Sequence, residues 1–392
     1  MELIRDKAII LNSIFSKNHD MTRIIMTTLI LATCGSFMQI AGASWDVTSH
    51  IMEAPETFFT PSHTVLYTGV GLLTVAAGTS VILLISNHGL RGSSVATPLK
   101  LLIIGSTISF VAGPSDFLWH ELFGVDGLLS PPHLTLITGM LVNAVATVLG
   151  LARIAVRITS CSRQRLIKAA MVPAFAALWF TTTWYVYMFS LPFSNGEDFQ
   201  FNLNPNISTI VVIVALPMLS SIIFLTASKS IGRFGAGTIV SALVVGINIF
   251  ANIVPSQGIL SSILPWYPII AILPVLTADI ILYNSKVRSN LGSRATELIA
   301  GMLVGSVFYI FNYPMITWAF AIPLEMPIAN QLGIQAVNNL TSNFLSTLSV
   351  ILAITLMPAA LMGLLGVFIV SKKMLISGAW NVIIRKAMRI GE

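Results

Sequence analysis

Charge is what this chain has least of. Asp, Glu, Lys and Arg together make up 9% of its 392 residues, where a soluble domain carries roughly 25% to keep a solvated skin. That shortage excludes a soluble globular domain, a charged disordered segment and a nucleic-acid-binding surface together, although a pI of about 9.4 suggests the last until the charges are placed. Cysteine is nearly absent too. Cys34 and Cys161 sit in separate segments without a CxxC, which excludes a disulfide scaffold, a zinc ribbon and a thiol redox motif. No linker rich in Ser, Pro or Gly divides soluble units, and no haem, flavin or iron–sulfur signature occurs. What is there is apolar: 55% hydrophobic residues and a mean hydropathy of +0.86. The composition is that of an all-α, polytopic integral membrane protein.

About 20 mostly apolar residues cross a hydrocarbon core as a helix. Ten such runs are expected, at roughly 21–43, 63–86, 98–115, 133–155, 169–192, 207–227, 235–254, 262–284, 296–322 and 341–370, the ninth broken by Asn312, Tyr313 and Pro314. With the N-terminus placed inside, all 21 Lys and Arg fall in segments 1–23, 87–100, 153–168, 228–234, 285–294 and 371–392. This is a strong positive-inside bias, so the net charge of +6 reports topology and anionic headgroups instead of nucleic acid. The expected location is a plasma membrane with both termini cytoplasmic. Residues 1–20 are too polar for a signal peptide and read as a cytoplasmic amphipathic segment. Residues 371–392 read as a basic segment on the inner surface, with Ile376, Trp380, Ile383 and Ile384 set against Arg385, Lys386 and Arg389. Between them lie a four-helix module, 21–155, and a six-helix bundle, 156–370.

The chemistry sits in two loops on the expected outer side. Asp46 to Gly69 reads DVTSHIMEAPETFFTPSHTVLYTG, and Asp116 to Gly139 reads DFLWHELFGVDGLLSPPHLTLITG. Matched positions are displaced by 70: Asp46/Asp116, His50/His120, Glu56/Asp126, Thr60/Ser130, Pro61/Pro131, His63/His133, Thr68/Thr138 and Gly69/Gly139. Four of the chain's six histidines fall in this pattern, which reads as an internal duplication of a helical hairpin.

Asp46 and His50, like Asp116 and His120, are i and i+4, so on a helix both side chains share a face. Thr60-Pro61 and Ser130-Pro131 are helix-start signals, a hydroxyl N-cap followed by proline at the first position. His63 and His133 then stand in the first turn, where the positive helix end favours the neutral, metal-binding imidazole. Each hairpin thus offers one carboxylate and two imidazoles, a set that suits iron, zinc or copper. A single such His would more commonly be an interfacial anchor; the duplicated spacing of Asp46, His50, His63, Asp116, His120 and His133 favours metal. Glu56 and Asp126 read either as partners orienting a ligand His or as hydrated loop acids. Glu53 and Glu121 are weaker candidates for the same part. Trp45 and Trp119 read as interfacial belt residues.

The stretch HIMEAPETFFTPSH, His50 to His63, resembles the C subunit of copper membrane monooxygenases, the particulate methane and ammonia monooxygenases, over roughly residues 20–155. That subunit carries an intramembrane D-x3-H-x12-H copper site within a DTxFTPSH phrase, which Asp46, His50 and His63 match in spacing. Asp116, His120 and His133 resemble its second ligand set, with Asp where Asn is usual. Pro55-Glu56 replaces the family's Arg-Asp, and the spans after residue 156 have no counterpart. The resemblance implies copper, O2 activation, a small apolar or uncharged substrate, partner subunits and an external electron donor.

Two readings of other classes stand beside it: a metal-handling transporter or accessory protein, and a zinc-dependent membrane hydrolase. Asp279, inside the eighth run, is the charge that bears on the first. It reads either as an intramembrane relay or cation site, or as a residue nearer the cytoplasmic end beside Asn284 and Lys286. Glu297 reads as a carboxylate at a helix start. The Asn- and Gln-rich segments 193–206 and 323–340 read as an outer cover or docking face.

Overall fold

The computed structural model describes residues 19–51, 57–124, 129–190, 203–256, 272–284, 289–290, 292, 294–306 and 352–376. Among them the chain is helical, with no strand. The helices are α1 (His19–Ile51), α2 (Pro61–Ser86), α3 (Ala96–Phe123), α4 (Pro131–Ala155), α5 (Cys161–Met188), α6 (Pro205–Ile231), α7 (Ala236–Ser256), α8 (Leu273–Tyr283) and α9 (Leu352–Ile376). A single helical turn, His88–Arg91, joins α2 to α3, and residues 294–306 are also helical. Among the described residues six helices are long and apolar enough to cross a membrane: Met21–Ser49, Pro61–Ser86, Ala96–Phe123, Pro131–Ala155, Cys161–Met188 and Ile210–Ile231. Shorter apolar helical runs occupy Ala236–Ala251, Leu273–Tyr283 and Thr355–Val370. Glu53, Glu56, Asp126, the break at 312–314, the segment 1–18, most of 193–206, all of 323–340 and the basic residues beyond 376 lie outside the described residues.

In an apolar surrounding each backbone group must be satisfied within the protein, which selects helix. The many hydroxyls in these helices obey the same constraint by donating to the carbonyl four residues back: Thr28 to Ile24, Thr33 to Leu29 and Ser80 to Ala76, each at 2.8 Å. Several helices outrun the expected runs, and α1 and α3 do so by eight residues at their C-terminal ends. α1 continues past residue 43 to Ile51, where Thr48 and Ser49 donate to Ser44 and Trp45 in the same way, both at 3.1 Å. α3 passes through Pro114 to Phe123; the proline costs one backbone bond, and Ser115 Oγ donates to the Val111 carbonyl at 2.8 Å in that turn.

α1 packs along α2 and α3 along α4 as the two tightest pairs. Contacts of α2 with α3 and of α1 with α4 close these into a four-helix unit. On its other side α1 meets α5 and α7; α6 lies against α5 and α9, and α8 against α7. The α1–α2 approach depends on a missing side chain, since a Cβ at Gly42 would lie 2.5 Å from the Leu66 backbone nitrogen. Gly42→Ala should therefore destabilise the chain by about 1–3 kcal/mol. It should lower the thermal midpoint in nanodiscs, and an unchanged midpoint would contradict so close a contact.

Asp279 is 1% exposed and fully engaged. Its carboxylate accepts Ser228 Oγ at 2.9 Å, and Thr238 N and Oγ1 at 2.9 and 2.8 Å, in the first turn of α7. Tyr283 Oη donates to the Ser228 carbonyl at 3.1 Å, so α6, α7 and α8 meet at this point. Glu297 pairs with Lys229 at 2.8 Å. Arg157 donates to Ser94 Oγ at 2.7 Å and Arg153 to the Ser94 carbonyl, tying the turn before α3 to the end of α4. Burial, and then the adjacent Arg153, hold the Arg157 guanidinium below its ordinary pKa.

Candidate metal centre

Helices α2 and α4 begin at Pro61 and Pro131, as their sequences predict. Thr60 and Ser130 occupy the N-cap positions, and their carbonyls accept the first helical bonds from Thr64 and Leu134 at 2.8 and 2.9 Å. The expected hydroxyl caps do not form. Proline already fixes the helix entry, and Thr60 Oγ1 lies instead 3.4 Å from Ser62 Oγ.

In the second hairpin the end of α3 and the start of α4 bring Asp116, His120 and His133 together, with one ligand atom from each lying within 4.8 Å of the others. Asp116 Oδ1 is 3.3 Å from His133 Nε2 and 4.0 Å from His120 Nε2. The two imidazoles stand edge to face, 5.7 Å between centroids and 81° between planes. Ligand atoms on a tetrahedral ion at roughly 2.0–2.2 Å stand about 3.3–3.6 Å apart. The Asp116–His133 edge has that spacing, and a small rotation of His120 closes the third vertex. The side chains of Asp116 and His120 are about nine-tenths buried, so the cluster is shielded from competing solvent. These residues fit a transition-metal ion as three protein ligands.

The first hairpin places Asp46 and His63 in the same relation, with Oδ1 and Nε2 3.1 Å apart. His63 Nδ1 is 3.1 Å from the Thr57 carbonyl. A carbonyl only accepts, so Nδ1 carries the hydrogen. In the neutral ring Nε2 is then a lone pair aimed at a carboxylate oxygen, an arrangement that calls for a cation between them, either a proton or a metal ion. Ser62 Oγ donates to the same Asp46 oxygen at 2.8 Å. His50 is helical, one turn after Asp46, and its side chain lies outside those described.

Several contributors were not picked out from sequence. Tyr67 stacks on His63 at 5.5 Å, and Phe58 lies 4.9 Å from Tyr67 and 5.3 Å from Phe117, the neighbour of Asp116. These rings cover the first site and join it to the second hairpin. Ser62 was in plain view inside TPSH, and its counterpart is Pro132, so only the first carboxylate receives a hydroxyl from that position. Glu121 is exposed. Trp45 packs edge-on against Phe250 at 5.3 Å, and Trp119 lies tilted on Phe123 at 4.5 Å. Comparison with family models, curated proteins and solved structures finds no match to this chain.

Proposed function

We propose that this chain is a copper-binding membrane monooxygenase subunit, or a single-chain relative of one. It would activate O2 to oxidise a small apolar or uncharged substrate such as ammonia or a hydrocarbon. The convergence of Asp116, His120 and His133 carries the metal part of this reading. The match of Asp46, His50 and His63 to a D-x3-H-x12-H copper pattern supports copper and oxygen. In this reading the chain spans the membrane ten times as two duplicated hairpins followed by six helices, with both metal motifs toward the outer face of the plasma membrane.

Copper supplies one-electron redox chemistry toward dioxygen. The chain's own residues do the rest. Asp116, His120 and His133 hold one ion, and Asp46, His50 and His63 the other. The Thr57 carbonyl fixes the His63 tautomer so that Nε2 faces the ion. Ser62 holds the Asp46 carboxylate in place, and Phe58, Tyr67 and Phe117 keep water from the first site. In a monooxygenation one oxygen atom enters the substrate and the other leaves as water. The electrons that balance it come from an external donor, because the chain has no redox cofactor motif.

Copper-loaded protein in nanodiscs, given a quinol reductant and ammonia or a short hydrocarbon, should take up O2 only when substrate is present. His120→Ala/His133→Ala should abolish that uptake. Turnover without O2 on a bound zinc would replace this reading by hydrolysis, and metal-dependent transport without O2 uptake by metal handling.

A further inference from the structure

The contacts inside the two hairpins repeat at the same displacement of 70 that relates their motifs. A Cβ at Gly69 would lie 2.7 Å from the Gly35 carbonyl oxygen and 2.7 Å from the Gln39 nitrogen. One at Gly139 would lie 3.1 Å from the Gly105 carbonyl oxygen and 2.8 Å from the Ser109 nitrogen. Contacts between the hairpins correspond as well. α2 meets α3 at Leu73–Ser106 and Tyr67–Gly113, and α4 meets α1 at Gly150–Leu29, in one antiparallel register when the hairpins are exchanged. All four helices converge on Ala32, Leu73, Ala76, Leu102 and Ala146, where Ala32/Leu102 and Ala76/Ala146 are again such pairs. Parts that exchange by a single operation are related by a two-fold axis, and here it runs through this small cluster.

Just toward the Asp/His ends of the helices the surroundings become polar. Ser36, Gln39, Ser106, Ser109 and Asn143 are each 3% exposed or less. In the second half Asn143 is satisfied: Ser106 Oγ is 3.3 Å from its Oδ1, and its Nδ2 donates to Ser109 Oγ at 3.4 Å. The first half carries its carboxamide on the other helix, because Gln39 stands where the second half has Ser109 and Leu73 where it has Asn143. Gln39 is 0% exposed, and neither of its amide atoms has a hydrogen-bond partner; the Ser36 hydroxyl, one turn away on the same face, has none either. The Leu29–Gly150 contact sets Ser36, two turns on, at the level of Asn143. A buried amide left unpaired within an apolar bundle is costly. One acceptor, one donor and one hydroxyl, all buried within a single turn of one helix face, are the kinds of partner a buried water takes.

We propose that the two-fold axis of the four-helix unit carries a buried water site held by Gln39 and Ser36, beside the Ser106–Ser109–Asn143 cluster. Gln39 and Ser109 lie seven residues before Asp46 and Asp116 on the same helix faces. Gln39 thus stands about 10 Å along α1 from Asp46, the same rise that separates Ser109 from Asp116 on α3. A water there supplies the Gln39 amide and the Ser36 hydroxyl with the partners that the apolar bundle withholds. The site needs no metal and is independent of the proposed oxidation chemistry.

Cryo-EM of the full chain in nanodiscs, at a resolution that shows ordered water, tests this. A density peak within hydrogen-bond reach of both Gln39 and Ser36, and lost in Gln39→Leu, is the expected result. Ser36→Ala removes a single atom and should lose the same peak if Gln39→Leu fails to fold. A dry site, or a Gln39 amide bonded directly to Asn143 or Ser109, would overturn the proposal.

Discussion

Replacing His120 and His133 together by alanine should remove one equivalent of copper per chain, and replacing His50 and His63 should remove the other. Two of three ligands vanish in each case, and an isolated carboxylate does not retain the ion against solvent. Elemental analysis of protein purified in nanodiscs and reconstituted with copper reads this directly. Ser62→Ala gives a finer version. The hydroxyl that holds Asp46 is lost, and outer partners of ligands typically contribute 10–100-fold in metal affinity. Affinity should fall by about that much at the first site only, since the second has Pro132 at this place. Equal copper in wild type and both double variants would remove the metal reading. Iron or zinc in place of copper would keep the site and remove the monooxygenase.

The positions of the candidate ligands were legible in the sequence, but not those of their neighbours. Pro61 and Pro131 open helices because proline at a first position is a local signal, independent of tertiary contacts. The i, i+4 spacing of Asp116 and His120 is likewise local, and it holds because α3 continues through Pro114. Helix length was harder to read. α1 outruns its apolar stretch because Thr48 and Ser49 satisfy their hydroxyls within the helix, so polarity there does not end it. The Thr57 carbonyl behind His63 and the Phe58–Phe117 contact join residues from separate elements, which no local pattern encodes. The same holds for Asp279, whose partners Ser228 and Thr238 lie 51 and 41 residues away.

Asp279→Ala should have the largest effect on stability outside the four-helix unit. It leaves the buried Ser228 hydroxyl and the half-buried Thr238 amide and hydroxyl without their acceptor. Each buried donor left unsatisfied costs about 1–3 kcal/mol, a large share of the roughly 5–15 kcal/mol that holds a domain together. The expected outcome is a sharply lower unfolding midpoint, or no monodisperse protein in detergent. Asp279→Asn keeps an acceptor oxygen and should fall much less. An Asp279→Ala protein as stable as wild type would show that the junction of α6, α7 and α8 does not depend on this carboxylate.

The bracing of α1 differs from that of α3. Beside Asp46, Ser44 donates to Asn248 at 2.9 Å and Trp45 packs on Phe250, both residues of α7. α3, which carries Asp116, lies against α2 and α4. Strain arising among the later helices thus has a lever onto one carboxylate and a buffer of intervening helices before the other. Two clusters built to nearly the same plan are in this way given unequal mechanical address: α7 touches the helix of the first directly, while the second is reached only through other helices.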